Sequence, residues 1–178
     1  MGERSYDLSG IPALGSYDSR LGRRERAGRA GRVRGMRATM LLCDAAQVAD
    51  GKLYVLGGGW SITGPDPAPS AIAVKIEVGW HEAEQSHHWE LFLVDADGRE
   101  VTVDTPDGTQ AVEIRGDFQT GKPAGVPEGS PVDVPLAVNL GPIPLDAGAR
   151  FTWRLVIDGE QREDWALGFS TRPRIPAV

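Results

Sequence analysis

Cysteine occurs once in the 178 residues, at Cys43. A single thiol allows no intramolecular disulfide, so the chain does not read as a disulfide-stapled secreted scaffold, and the reducing cytoplasm is the expected location. Long apolar runs are missing as well. Nothing approaches the roughly 18 apolar residues of a membrane span, and the Arg23-Arg24 pair lacks the apolar stretch of about 7–15 residues that an export signal places behind it. No membrane contact is implied. Helical periodicity is also absent: no stretch of about ten residues repeats its apolar side chains every 3.6 positions.

What the chain has instead is alternation. Val132, Val134, Leu136, Val138 and Leu140 are apolar, while Asp133, Pro135, Ala137 and Asn139 between them are small or polar. Side chains on a strand point to opposite faces in turn, so this register gives one face to a core and the other to water. Ile72, Val74, Ile76 and Val78 repeat the pattern opposite Ala71, Ala73, Lys75 and Glu77, and so do Trp89, Leu91 and Leu93, then Phe151, Trp153, Leu155 and Ile157, and finally Trp165, Leu167 and Phe169. Further strands are expected over residues 37–44, 52–63, 100–104 and 109–118, with 45–51 read for the turn that ends it. Asp50-Gly51, Asp97-Gly98 and Asp158-Gly159 are turn signals, and the prolines at 65, 67 and 69 mark a loop. Residues 119–131 form the longest loop. Turn signals at this spacing predict an all-β fold, an antiparallel β-sandwich of about eight or nine strands, with a closed β-barrel as the alternative. Pro135 has no N–H to give a ladder, which marks 132–140 as an edge strand.

Charge divides the chain unevenly. Residues 1–35 hold eight Arg against four acids, a net of +4, so with −6 overall the remainder carries −10. Between residues 16 and 35 the only large apolar side chains are Leu21 and Val33, and glycines interrupt any helical run. Such a segment cannot offset its ordering entropy, so residues 1–35 are expected to be a disordered Arg/Gly-rich arm or a mis-called leader, with Met36 the true start. The domain is expected over 36–172, with 173–178 a flexible tail. An Arg arm can neutralise phosphates, but it lacks interleaved aromatics for base stacking and precedes an acidic body, which argues against a nucleic-acid partner.

The segment Met36-Arg-Ala-Thr-Met-Leu-Leu-Cys-Asp, the run from Asp50-Gly-Lys-Leu-Tyr to Gly57-Gly58-Gly59-Trp60, the Ser70-Ala-Ile-Ala-Val strand and Phe151-Thr-Trp-Arg-Leu-Val-Ile-Asp-Gly159 together resemble an uncharacterised bacterial family of small β-rich proteins, a domain of unknown function. The resemblance runs from about Met36 to Arg172. Members characteristically begin near the position of Met36, which agrees with the shorter start. It implies no activity and no site residue.

Reactive chemistry is sparse. His81, His87 and His88 lie near Glu82 and Glu84, a workable metal-ligand chemistry, yet there is no His-x-x-x-His pair or Cys-x-x-Cys, and neighbouring His87 and His88 point to opposite faces if extended, so the group reads as a surface loop. The expectation is no metal, no cofactor and no catalytic residue. Cys43 sits among leucines and reads as an inert buried thiol. The Gly57-Gly58-Gly59 run lacks the Gly-Lys-Ser/Thr of a phosphate loop and reads as a sheet bulge or a close backbone approach. Trp89, Trp153 and Trp165 fall on apolar faces. Trp60 and Trp80 stand at pattern ends and are the contact candidates.

The sequence therefore points to a non-enzymatic binding or interaction module whose partner is an unknown protein or a second copy joined through an edge strand. Two alternatives stand beside it. One is a metal-dependent or hydrolytic enzyme with its site built from the loops around 80–88 and 119–131. The other is a nucleic-acid-associated protein acting through the arm.

Overall fold

The computed structural model describes residues 35–106 and 108–175, so the arm expected over residues 1–35 lies almost wholly outside the described residues, as do Asp107 and the end of the tail. Twelve strands and no helix make up the described chain. In order they are β1 (Arg37–Cys43), β2 (Ala45–Ala49), β3 (Lys52–Leu56), β4 (Ile62–Thr63), β5 (Ser70–Val78), β6 (Ser86–Asp95), β7 (Thr102–Thr105), β8 (Gly108–Ala111), β9 (Glu113–Gln119), β10 (Val132–Leu140), β11 (Arg150–Ile157) and β12 (Glu160–Thr171).

Two sheets carry the core. One has the order β1-β5-β10 and the other β4-β12-β11-β6-β9. Every pairing in them is antiparallel except that of β12 with the short β4. Their facing sides hold the residues that alternation assigned inward. Leu42, Ile72, Val74, Ile76 and Val78 of the smaller sheet meet Leu91, Leu93, Trp153, Leu155, Ile157 and Trp165 of the larger in one buried cluster. An aromatic side chain removed from such a core leaves a cavity costing about 3–5 kcal/mol. The all-β expectation holds, and β10 is an edge strand as Pro135 foretold. At one side the sheets close on each other, where Arg162 Nη1 of β12 donates to the carbonyl of Met36 at 2.7 Å.

Strand boundaries are finer than alternation indicated. The stretch 109–118 breaks at Val112 into β8 and β9, and 52–63 breaks into β3 and β4. The second break corrects the reading of the three glycines as a bulge within a strand. They lie beyond β3, with φ of 62° at Gly57 and 94° at Gly59, values a pleated ladder does not admit. Here the chain passes hard against its own β1–β2 junction. A Cβ on Gly57 would fall 2.0 Å from Asp44 Oδ2, and one on Gly58 2.8 Å from Val55 Cγ1 and 2.9 Å from Leu41 Cδ2. The close-approach reading is the one that holds.

That crossing lets β2 and β3, joined by an Asp50-Gly51 turn with both φ positive, fold back over the outer face of the smaller sheet. The floor beneath the hairpin is made of small residues. Cys43, Ala71 and Ala73 are buried there against Ala46, with Leu53 and Ala137 packed alongside.

Candidate functional site

β6 sorts the histidines. Its odd-numbered residues face the core, so His87 continues the inward register of Trp89, Leu91 and Leu93 and is buried, while His88 points to solvent. The His87 ring lies against Phe118, its cross-strand neighbour, with centroids 5.2 Å apart. Its Nδ1 sits 2.7 Å from Asp158 Oδ2 and its Nε2 3.0 Å from the carbonyl oxygen of Glu82. Each ring nitrogen is thus engaged with an oxygen acceptor, and neither has a lone pair turned toward a metal. His88 Nδ1 lies 2.8 Å from Asp117 Oδ1 on the opposite face. His81 is exposed in the turn before β6. Among the described residues no three His, Cys, Asp or Glu side chains come together as a metal-holding group. The register of His87 was readable from Trp89, Leu91 and Leu93; what hid it was the polar run preceding β6, which resembled a loop up to that residue.

The segments around 80–88 and 119–131 do meet. Glu84 N–H donates to the Thr120 carbonyl at 2.7 Å, and Lys122 Nζ lies 3.1 Å from Glu84 Oε2. The same ammonium stands 5.5 Å from the centre of the half-buried Trp80 ring. An ion pair and a cation–π contact therefore occupy the junction.

Trp60 is placed differently. It meets Phe169 edge to face, centroids 6.3 Å apart, and lines a pocket of about 310 Å³ at the end of the sandwich where β1, β5 and β10 approach β11 and β12. Leu42, Leu140, Trp153 and Phe169 form its apolar wall, residues 64–69 with their three prolines cover it, and Asp44 and Asp66 add carboxylates. The Trp60 indole N–H is buried with no acceptor among the described residues.

Leu41 is 39 % exposed, Val48 40 %, Tyr54 54 %, Val55 41 % and Leu56 70 %, all on the β2–β3 hairpin or directly beside it. They account for most of the large apolar side chains that the described residues leave in water. β2 and β3 pair only with each other, so the outer ladder edge of β3 has no strand partner among the described residues.

Residues 38–169 match the model of a family of unknown function, DUF6941. The chain belongs to that family. No curated protein and no solved structure matches it. Membership in DUF6941 brings no activity and no ligand, so the chemistry must be read from this member's own side chains.

Two electrostatic features of this DUF6941 chain have resolved causes. Burial pushes the Cys43 thiol up, which keeps it protonated and unreactive, in accord with its place under the hairpin. On the outer face of the smaller sheet, Lys75 Nζ lies 3.0 Å from Glu77 Oε1 and 3.2 Å from Asp133 Oδ2, and Arg37 Nε donates to Glu77 Oε2 at 2.6 Å. These hydrogen bonds hold Glu77 below the ordinary carboxylate range and Lys75 above the ordinary amine value. No helix of the described residues is long and apolar enough to cross a membrane.

Proposed function

We propose that this protein is a non-enzymatic interaction module that pairs with a second copy of itself along the free edge of β3, and that it works in the cytoplasm, where its lone thiol stays reduced. The observation that carries this reading is the concentration of exposed apolar side chains on one hairpin whose outer edge is unpaired. Exposed apolar patches on soluble domains mark interaction sites, and a free edge supplies the backbone donors and acceptors for strand addition.

The sequence of β3 favours a copy of itself as occupant. Antiparallel pairing about Tyr54 sets Leu53 against the partner's Val55 and Tyr54 against its own counterpart. Lys52, the only charge on β3, then lies opposite Leu56 and not opposite another lysine, so its methylene stem covers the leucine while the ammonium reaches water. The contact is self-complementary and closes as a two-fold dimer.

Size-exclusion chromatography with light scattering tests this on the full chain. A dimer is expected at high protein concentration. Tyr54→Glu, a change at a well-exposed position, sets two carboxylates against each other on the two-fold axis and is expected to give a monomer whose melting temperature matches that of the wild-type chain diluted below its dimerisation range. A wild-type chain that stays strictly monomeric, or a Tyr54→Glu chain that still dimerises, would overturn the proposal.

A further inference from the structure

Pairing of β3 with a second copy brings together two charges that a single chain keeps apart. We infer, resting on that pairing, that Asp44 of each copy forms an ion pair with Lys52 of the other. These two reciprocal contacts fix the register of the paired strands and select a copy of this chain over other exposed edges.

Asp44 lies exposed in the bend between β1 and β2, where its N–H donates to the Leu56 carbonyl at 3.0 Å. Its carboxylate is turned to the end of β3. A Cβ on Gly57 would fall 2.0 Å from Asp44 Oδ2, so the carboxylate fills the place that a side chain at position 57 would take. The hairpin thereby presents a negative charge one residue beyond Leu56, although β3 itself carries none. Lys52 stands exposed at the other end of the strand. Among the described residues neither Asp44 nor Lys52 makes an ion pair, whereas Arg37, Lys75, Glu77 and Asp133 on the neighbouring sheet are all paired. Asp50, the remaining charge of the hairpin, sits in the turn outside the paired strands.

Within one copy the two charges cannot meet. Position 57 is five residues from Lys52 along the chain, roughly 16 Å of strand at about 3.3 Å per residue. Antiparallel pairing about Tyr54 removes that distance, because it sets the second copy's Lys52 opposite Leu56, next to Gly57. Opposed residues lie about 5 Å apart, and the four-carbon lysine stem laid over Leu56 carries its ammonium to the carboxylate. The residue that falls opposite Gly57 is the second copy's Gly51, which has no side chain to block the approach. The two-fold axis makes the contact twice. A slip of one residue turns Lys52 to the other face, and a slip of two carries it away from Asp44. Exposed ion pairs add little affinity by themselves, but an edge that sets like charges together is penalised, which is how they choose a partner.

Exchanging the charges between copies tests this on the full chain, with native mass spectrometry to tell the species apart and sedimentation to give the dissociation constant. In Asp44→Lys two lysines meet at each contact, and in Lys52→Glu two acids do. Each variant alone is expected to dimerise at least about tenfold more weakly than wild type. An equimolar mixture restores opposite charges at both contacts and is expected to form the heterodimer at near wild-type affinity. Because Asp44 is wedged against Gly57, the isosteric Asp44→Asn supplies a second route that keeps the shape of the bend. Added to the Lys52→Glu chain it removes the repulsion, and at least about threefold of the lost affinity is expected to return. Single variants that dimerise as tightly as wild type, or a missing heterodimer together with no recovery in the Asp44→Asn chain, would overturn the ion pairs. The β3 pairing would then still stand if the wild-type dimer is lost in Tyr54→Glu. A wild-type chain that stays monomeric at every concentration removes both.

Discussion

Gly116 stands opposite Trp89 across the β6–β9 pair, and the indole lies flat over the space where a side chain would be. A Cβ at Gly116 would come 2.9 Å from Trp89 Nε1 and 3.0 Å from two ring carbons. Trp89 belongs to the core cluster and cannot swing out without exposing apolar surface. Gly116→Ala is therefore expected to destabilise the fold by about 1–3 kcal/mol, the cost of overpacking a fitted site, despite removing nothing. Urea denaturation followed by tryptophan fluorescence checks it, and an unshifted midpoint would mean that the indole yields freely. The residue scale was only half legible in advance. Trp89, Trp153 and Trp165 sit on apolar faces, and alternation alone assigns them to the core. Gly116 gave no such signal, because a glycine beneath an aromatic ring and a glycine in a turn look alike until the partner strand is known. The same holds for Trp60: its position at a pattern end made it a contact candidate, but neither the pocket nor its unpaired N–H can be read without the loop of residues 64–69 folded above it.

At the scale of elements, the β2–β3 hairpin is what alternation could not place. The outer face of β5 carries Ala71 and Ala73 followed by Lys75 and Glu77, and small side chains read the same way under solvent as under another strand. Their smallness is what lets a backbone settle on the sheet at close range. The fastening is Asn139 on β10, whose Oδ1 accepts from the Ala46 N–H at 3.2 Å while its Nδ2 donates to the Ala46 carbonyl at 2.9 Å. One side chain thus substitutes for a pair of ladder bonds between the hairpin and the sheet. Asn139→Ala leaves both backbone groups of Ala46 without that partner and is expected to cost about 1–2 kcal/mol, at the low end of the penalty for stranded polar groups because water reaches the site in part. Asn139→Asp retains the acceptor for the Ala46 N–H but sets a second carboxylate oxygen against the Ala46 carbonyl, so its loss should be at least as large as that of Asn139→Ala in thermal denaturation. Equal stability for all three would show that apolar contact alone holds the hairpin. The strand boundaries that sequence reading drew too long, at 52–63 and 109–118, failed for one reason: apolar alternation persists through a bend, and only backbone geometry reveals it.

For the molecule as a whole, the two core sheets are knit from distant parts of the chain, with β5 paired to both β1 and β10 and β11 to both β6 and β12. Such pairings reward folding only after long loops have closed, and once closed they open together. The β7–β8 hairpin is different. It pairs only with itself, its side chains are exposed or half-buried, and it joins the body at its base, where Val101 N–H donates to Leu93 O at 2.9 Å and Leu93 N–H to Val112 O at 3.0 Å. Little apolar area is lost if it opens while the sheets stay shut. Native-state hydrogen exchange is therefore expected to divide the amides in two. Those in β7 and β8 should exchange through a local opening and respond weakly to denaturant, whereas those in β5, β6 and β11 should exchange only through global unfolding, with protection higher by at least about a hundredfold, or roughly 3 kcal/mol. The β2–β3 hairpin, strapped by Asn139 and seated on its alanine floor, should lie between them and gain protection as protein concentration rises if its edge pairs with a second copy. Uniform protection across all twelve strands would instead make the protruding hairpin part of a single cooperative unit with the sandwich.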